Sequence, residues 1–135
     1  MSKSDPSDLS RINLTDDKDQ IINKIKKAKT DALSMPSEIR NLLQRPEVEN
    51  LLGIYSSLKN QSLEKSIQEF DGKNFSVFKE KLSEILIEKI VPISNEIKKL
   101  LNDERYLDSI LLDGSQKADK IASQKIREIK ELVGF

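Results

Sequence analysis

Neither cysteine nor histidine occurs anywhere in the 135 residues. Their absence excludes disulfides, thiol chemistry, cysteine or histidine metal ligation, and histidine acid–base catalysis. It is compatible with a reducing compartment. Net charge is lacking too: 23 Lys+Arg balance 23 Asp+Glu, so no global field draws the chain to nucleic acid or to a membrane. Local basic clusters remain open. No apolar run nears the roughly 20 residues of a membrane span, and no charged-then-apolar leader opens the chain. A soluble protein of the cytoplasm with no membrane partner is the expectation. Four glycines, four prolines and no alternating β-branched runs leave little to build sheets from. Ile, Leu, Lys and Glu dominate and favour helices, so the fold class predicted is all-α.

The helices can be followed by their apolar stripes. Ile21, Ile22, Ile25 and Ala28 lie on one helical face, with Thr15 or Asp16 as the predicted N-cap. Residues 30 to 37 read as a loop, and "EIRNLLQR" as one or two short turns. Pro46 suits a first helical position, ahead of a stripe of Val48, Leu51, Leu52, Tyr55 and Leu58. Gly53 falls inside that helix at a cost of about 1 kcal/mol. Ser62 caps a short helix bearing Leu63, Ile67 and Phe70, and Gly72 suits the left-handed position after it. The longest stripe runs from Phe75 to Leu100, straight through Pro92, where a kink is expected. Tyr106, Leu107, Ile110 and Leu111 form a further helix that Asp113–Gly114 should close, and Ser115 should cap the last one, over Ala118 to Val133. The sum is a compact bundle of about six helices, with no repeat and no low-complexity tract.

Within this helical part no catalytic constellation stands out. Asp16 and Asp17 read as solvated acids opening a helix rather than as a carboxylate pair. Gly72–Lys73 lacks the rest of a P-loop, and Phe75 and Phe78 sit on the apolar stripe as core. The run "KIKKAK", Lys24 to Lys29, reads as a solvated basic face, with an RNA-backbone contact as the alternative. The opening "MSKSDPSDLSRINLTDD" is different. Taken alone it reads as an untethered polar tail. Yet Lys3 between two serines, with unencumbered backbone amides, can bring an ammonium and several donors to a polyphosphate.

These residues resemble a family. "MSKS" matches the last four letters of KMSKS, the phosphate loop of class I aminoacyl-tRNA synthetases. "KIKKAKTD", "PEVENLLGIYSSL", "GKNFSVFKEKLSEILIEKIVPI" and "DGSQKADKIAS" follow in the order and spacing of the C-terminal part of bacterial-type tryptophanyl-tRNA synthetases. The resemblance covers essentially the whole chain. It implies an ATP-dependent ligase that activates tryptophan and charges its tRNA, with ATP and Mg2+ as substrate and its ion. It also implies a homodimer whose nucleotide-binding domain, with a HIGH-type motif, lies upstream of this chain. By carry-over Lys3 is the motif's second lysine and the catalytic residue, with Met1, Ser2 and Ser4 beside it on the ATP phosphates. The motif's first lysine would precede Met1, and "ALSMPSEIRNLLQR" replaces a loop that is often richer in glycine.

The expectation is therefore a phosphate loop and linker over residues 1–15, at the edge of an absent nucleotide-binding domain, and a helical anticodon-side domain over 16–135. Such a chain would be a truncated ligase, inactive alone. Exposed lysines at 26, 27, 29, 117 and 120 (Lys26, Lys27, Lys29, Lys117, Lys120) are the candidate tRNA contacts, and no metal ligand set is expected. The alternative is a non-catalytic helical module binding RNA or protein, with a disordered N-terminal tail.

Overall fold

The computed structural model describes residues 6–134, and among these helix is the only regular secondary structure. There are five α-helices: α1 (Lys18–Lys27), α2 (Pro46–Lys59), α3 (Leu63–Phe70), α4 (Phe75–Leu101) and α5 (Glu104–Val133). Two 3-10 turns, Asp8–Ser10 and Ile39–Leu42, punctuate the irregular stretches. The all-α prediction holds, with one helix fewer than expected.

The described residues divide into two units, one ending at Asn95 and one starting at Glu96, so α4 contributes to both. In the first unit, Ile21 and Ile25 of α1, Leu51, Leu52 and Tyr55 of α2, Ile67 and Phe70 of α3, and Phe78 and Leu82 of α4 make a shared core. At its centre Tyr55, Phe70 and Phe78 meet edge-on, with ring centroids 5.0, 5.9 and 5.0 Å apart. Edge-to-face contact sets each ring's positive rim against its neighbour's negative face. The Ser56 and Ser66 hydroxyls share a 2.7 Å hydrogen bond between α2 and α3, so two small polar side chains are buried without being orphaned.

Local sequence explains the ends of these helices. Pro46 occupies the first turn of α2, where its missing N–H costs nothing. Ser62 caps α3 by accepting from the Lys65 N–H, and Gly72 just beyond it takes φ +66°, a value that strains any side chain with a Cβ. The N-cap of α1 corrects the sequence reading: it is Asp17, not Thr15 or Asp16. Asp17 accepts from the Gln20 N–H while the Gln20 side chain accepts from the Asp17 N–H, closing a reciprocal capping box. The loop at 30–37 is not merely a connector, since Met35 is buried and its N–H donates to the Lys73 carbonyl at 3.0 Å.

The second unit holds the main departure. Asp113–Gly114 ends nothing and Ser115 caps nothing: α5 is continuous for 30 residues, about 45 Å. It begins at Asp103, whose carboxylate accepts from the Tyr106 N–H. Lys117 reaches back one turn to Asp113 at 2.6 Å, spanning Gly114. No residue of α5 is buried, and Ile121, Ile126, Ile129, Leu132 and Val133 are all exposed.

Candidate functional site

Met1, Ser2, Lys3 and Ser4 lie outside the described residues. What the structure does define is the segment that follows them and its attachment to the helices. Ser7 opens the first 3-10 turn by accepting from the Leu9 N–H. That turn carries Asp8, and Asp8 reaches the ammonium of Lys24 at 2.7 Å. The same Nζ donates to Asp16 at 2.7 Å. Asn13 ties the two acids together: its side-chain amide donates to Asp8 at 2.8 Å, and its backbone N–H donates to Asp16 at 2.8 Å.

Lys24 is therefore not on a solvated face, as the reading of "KIKKAK" had it. It is 3% exposed, as is Asp16, which is likewise no solvated helix-opening acid. The cause is helical phase. Lys24 lies between Ile21 and Ile25, three residues on from one and adjacent to the other, so it points into the seam where residues 8–16 cross α1. Burial opposes its charge, but hydrogen bonds to Asp16 and Asp8 outweigh that and hold the ammonium above the ordinary lysine range. Hydrogen bonds from Lys24 and then Asn13 hold the Asp8 carboxyl below its ordinary value. The sequence carried a signal for Lys24, a cation on an apolar stripe, but not for its partners.

The candidate RNA-contacting lysines fall into two separate sets. Lys26, Lys27 and Lys29 cluster where α1 ends, in the first unit, and are exposed. Their positive charge also offsets the negative end of the helix dipole. Lys29 pairs with Glu47 at 3.0 Å while staying 85% exposed, and its hydrogen bond keeps the Glu47 carboxyl below the usual range. The end of α1 is fixed by Lys79 of α4, whose ammonium donates to the carbonyls of Ala28 at 2.6 Å and Lys26 at 3.3 Å. Burial lowers the affinity of Lys79 for its proton. Beside this cap, Ile22, Phe75 and Ile87 floor a cavity of about 640 Å³ rimmed by Lys18, Lys26, Glu80 and Glu84. Lys117 and Lys120 belong to α5 in the second unit, exposed and one turn apart, with Lys117 paired to Asp113.

One further pair escaped the sequence reading. Arg45, just ahead of α2, donates from Nε and Nη2 to both oxygens of Asp31, at 2.7 and 2.8 Å, and to the Ser34 carbonyl at 2.9 Å. Its guanidinium lies 5.6 Å from the centre of the Phe75 ring. This fork closes the 31–45 stretch over the core end of α4 and holds the Asp31 carboxyl below its usual range. Thirteen residues lie between the two, four of them in the Ile39–Leu42 turn, and no periodicity links them.

A family model described as tRNA synthetases class I (W and Y) matches residues 1–93. The chain belongs to that family. Among curated members, the tryptophan–tRNA ligase of Mesorhizobium japonicum is 48% identical over all 135 residues, which cover 38% of its length. The tryptophan–tRNA ligase of Rickettsia felis is 52% identical over the same 135 residues, 40% of its length. That of Agrobacterium fabrum is 48% identical, again with 38% covered. The chain thus spans about two fifths of the curated synthetases it matches. Nothing in these relatives supports the stand-alone binding module. Among the described residues no helix is long and apolar enough to cross a membrane.

Proposed function

We propose that this chain supplies the phosphate loop and the helical tRNA-side domain of a tryptophan–tRNA ligase of the cytoplasm. The observation that carries the reading is end-to-end similarity, at about 48% identity over 135 residues, to proteins named for that activity. In the reaction the carboxylate of tryptophan attacks the α-phosphorus of ATP and pyrophosphate departs. A hydroxyl of the tRNA terminus then displaces AMP from the adenylate. Lys3 is the catalytic residue assigned here: its ammonium meets the charge that grows on the departing pyrophosphate. Met1, Ser2 and Ser4 would add donors to the same phosphates, with Mg2+ arriving as the nucleotide's ion.

The helical part would hold the tRNA, with Lys26, Lys27, Lys29, Lys117 and Lys120 as phosphate contacts. Tryptophan recognition, the HIGH-type motif and the homodimer interface belong to a nucleotide-binding domain upstream. Residues 1–15 would act as loop and linker from that domain, and 16–135 as the helical domain. Orienting tryptophan against ATP requires a pocket that this chain does not supply. The isolated chain is therefore expected to catalyse no tryptophan-dependent pyrophosphate exchange, whereas a full-length ligase carrying this sequence from Met1 to Phe135 does. Exchange by the pure isolated chain, or none by the folded full-length protein, would overturn the reading.

A further inference from the structure

We propose that the cavity between α1 and α4 binds a small amphiphilic anion, an apolar chain or ring system with one anionic head group. The site goes beyond the function proposed above and does not depend on it. Both helices that line it lie within the first unit.

Size and floor define the body of the ligand. A volume of about 640 Å³ falls within the roughly 300–1,000 Å³ of small-molecule sites. Ile22, Phe75 and Ile87 are only partly buried, so each keeps apolar surface that an occupant can take from water. Ser83, the most buried polar side chain of the lining, is already satisfied, since its hydroxyl donates to the Lys79 carbonyl at 2.8 Å. The floor therefore has no hydrogen bond to offer and accepts hydrocarbon without leaving a buried donor unpaired.

The rim defines the charge. Among the described residues Lys18 and Lys26 of α1 form no ion pair. Lys79 of α4 spends its ammonium on two carbonyls, those of Ala28 and Lys26, and no carboxylate offsets the burial that lowers its affinity for a proton. On the acidic side Glu84 is taken up by Lys81 at 2.7 Å, which leaves Glu80. Three ammonium groups against one remaining carboxylate complement an anion. An RNA backbone would meet the lysines but leave the apolar floor wet. The floor and the rim together favour an amphiphile.

The test is an NMR titration of the isotope-labelled 135-residue chain with sodium decanoate, repeated with decyltrimethylammonium, which carries the same tail under a positive head. Decanoate should shift the Ile22 and Ile87 methyl signals saturably, and the cation should bind about tenfold more weakly. Lys18→Glu, at an exposed position, should weaken decanoate binding about fivefold, the upper end for one exposed ionic contact. Ser76→Trp, also at an exposed position, should fill the cavity and abolish the shifts while circular dichroism shows the fold intact. A full-length ligase carrying this sequence should bind decanoate in the same Ser76-dependent way. The proposal is overturned if no saturable shift occurs, if the cation binds as tightly as the anion, or if folded Ser76→Trp binds unchanged. Ser76-dependent binding that is lost in the full-length ligase would mean that the rest of that protein covers the cavity. A dimer that dissociates in Ser76→Trp would make a second copy the occupant. Either result also overturns the proposal, and neither touches the function proposed above.

Discussion

Lys24→Met is the most informative perturbation of the fold, because it removes one charge from a buried cluster and leaves another behind. Methionine fills much of the lysine's volume, so the packing against Ile21 and Ile25 is largely kept. Asp8, at 56% side-chain exposure, turns to water without penalty. Asp16 cannot. It is 3% exposed and keeps only the Asn13 backbone N–H at 2.8 Å and a long 3.5 Å contact from the Asn13 amide. Stranding a buried charge in this way costs about 3–5 kcal/mol. The expected loss is therefore about 3–5 kcal/mol, measured by urea unfolding followed by circular dichroism. Asp16→Asn added to Lys24→Met should recover most of it. A loss below about 0.5 kcal/mol at pH 7 would refute the argument that Lys24 neutralises a buried acid.

Asp31→Asn leaves Arg45, 11% exposed, with the Ser34 carbonyl as its remaining acceptor; allowing for the 35% exposure of Asp31, the cost is about 1 kcal/mol by urea unfolding. Asp8, Asp31 and Glu47 all have folded-state proton affinities below their ordinary values, so the stability they contribute is present above about pH 4 and is lost as pH falls through and below that value. An acid titration of the unfolding free energy should show this slope, reduced in Asp31→Asn. Gly114→Ala should stabilise α5 by about 0.5–1 kcal/mol and raise its helicity, since an added Cβ meets nothing within 4 Å, whereas Gly72→Ala at φ +66° should destabilise. Charge reversal at Lys26, Lys27 or Lys120 should weaken tRNA binding and flatten its salt dependence by about one counterion for each true contact; if none of them changes the salt slope, the RNA face lies elsewhere.

The legibility of the fold in its sequence tracks how local the cause is. The stripes from Val48 to Leu58 and from Phe75 to Leu100 announce α2 and α4, because a 3.6-residue period needs no knowledge of partners. Pro46 and Gly72 announce their places for the same reason: each answers a backbone constraint within its own turn. Asp113–Gly114–Ser115 misleads because turn chemistry and a mid-helix glycine look alike locally. One glycine costs only about 1 kcal/mol, which a long helix absorbs. The cap at Asp17 was available from the spacing Asp17–Gln20, but three neighbouring candidates, Thr15, Asp16 and Asp17, compete for it. The ion cluster around Lys24 was half visible. Phase puts Lys24 on the buried stripe, yet which acids reach it depends on how residues 8–16 cross α1, and no pattern in the sequence encodes that crossing. Arg45 and Asp31 were not legible at all, being joined only by the path of an irregular loop.

The proposed phosphate-loop role rests most directly on Lys3. In a full-length ligase carrying this sequence, the rate of tryptophan-dependent adenylate formation should fall about 100- to 1,000-fold in Lys3→Ala. That is the roughly 2.7–4 kcal/mol of one lost transition-state donor, with ATP binding changed far less. An unchanged turnover rate in the folded Lys3→Ala protein would contradict the claim that this chain supplies the ligase's phosphate loop.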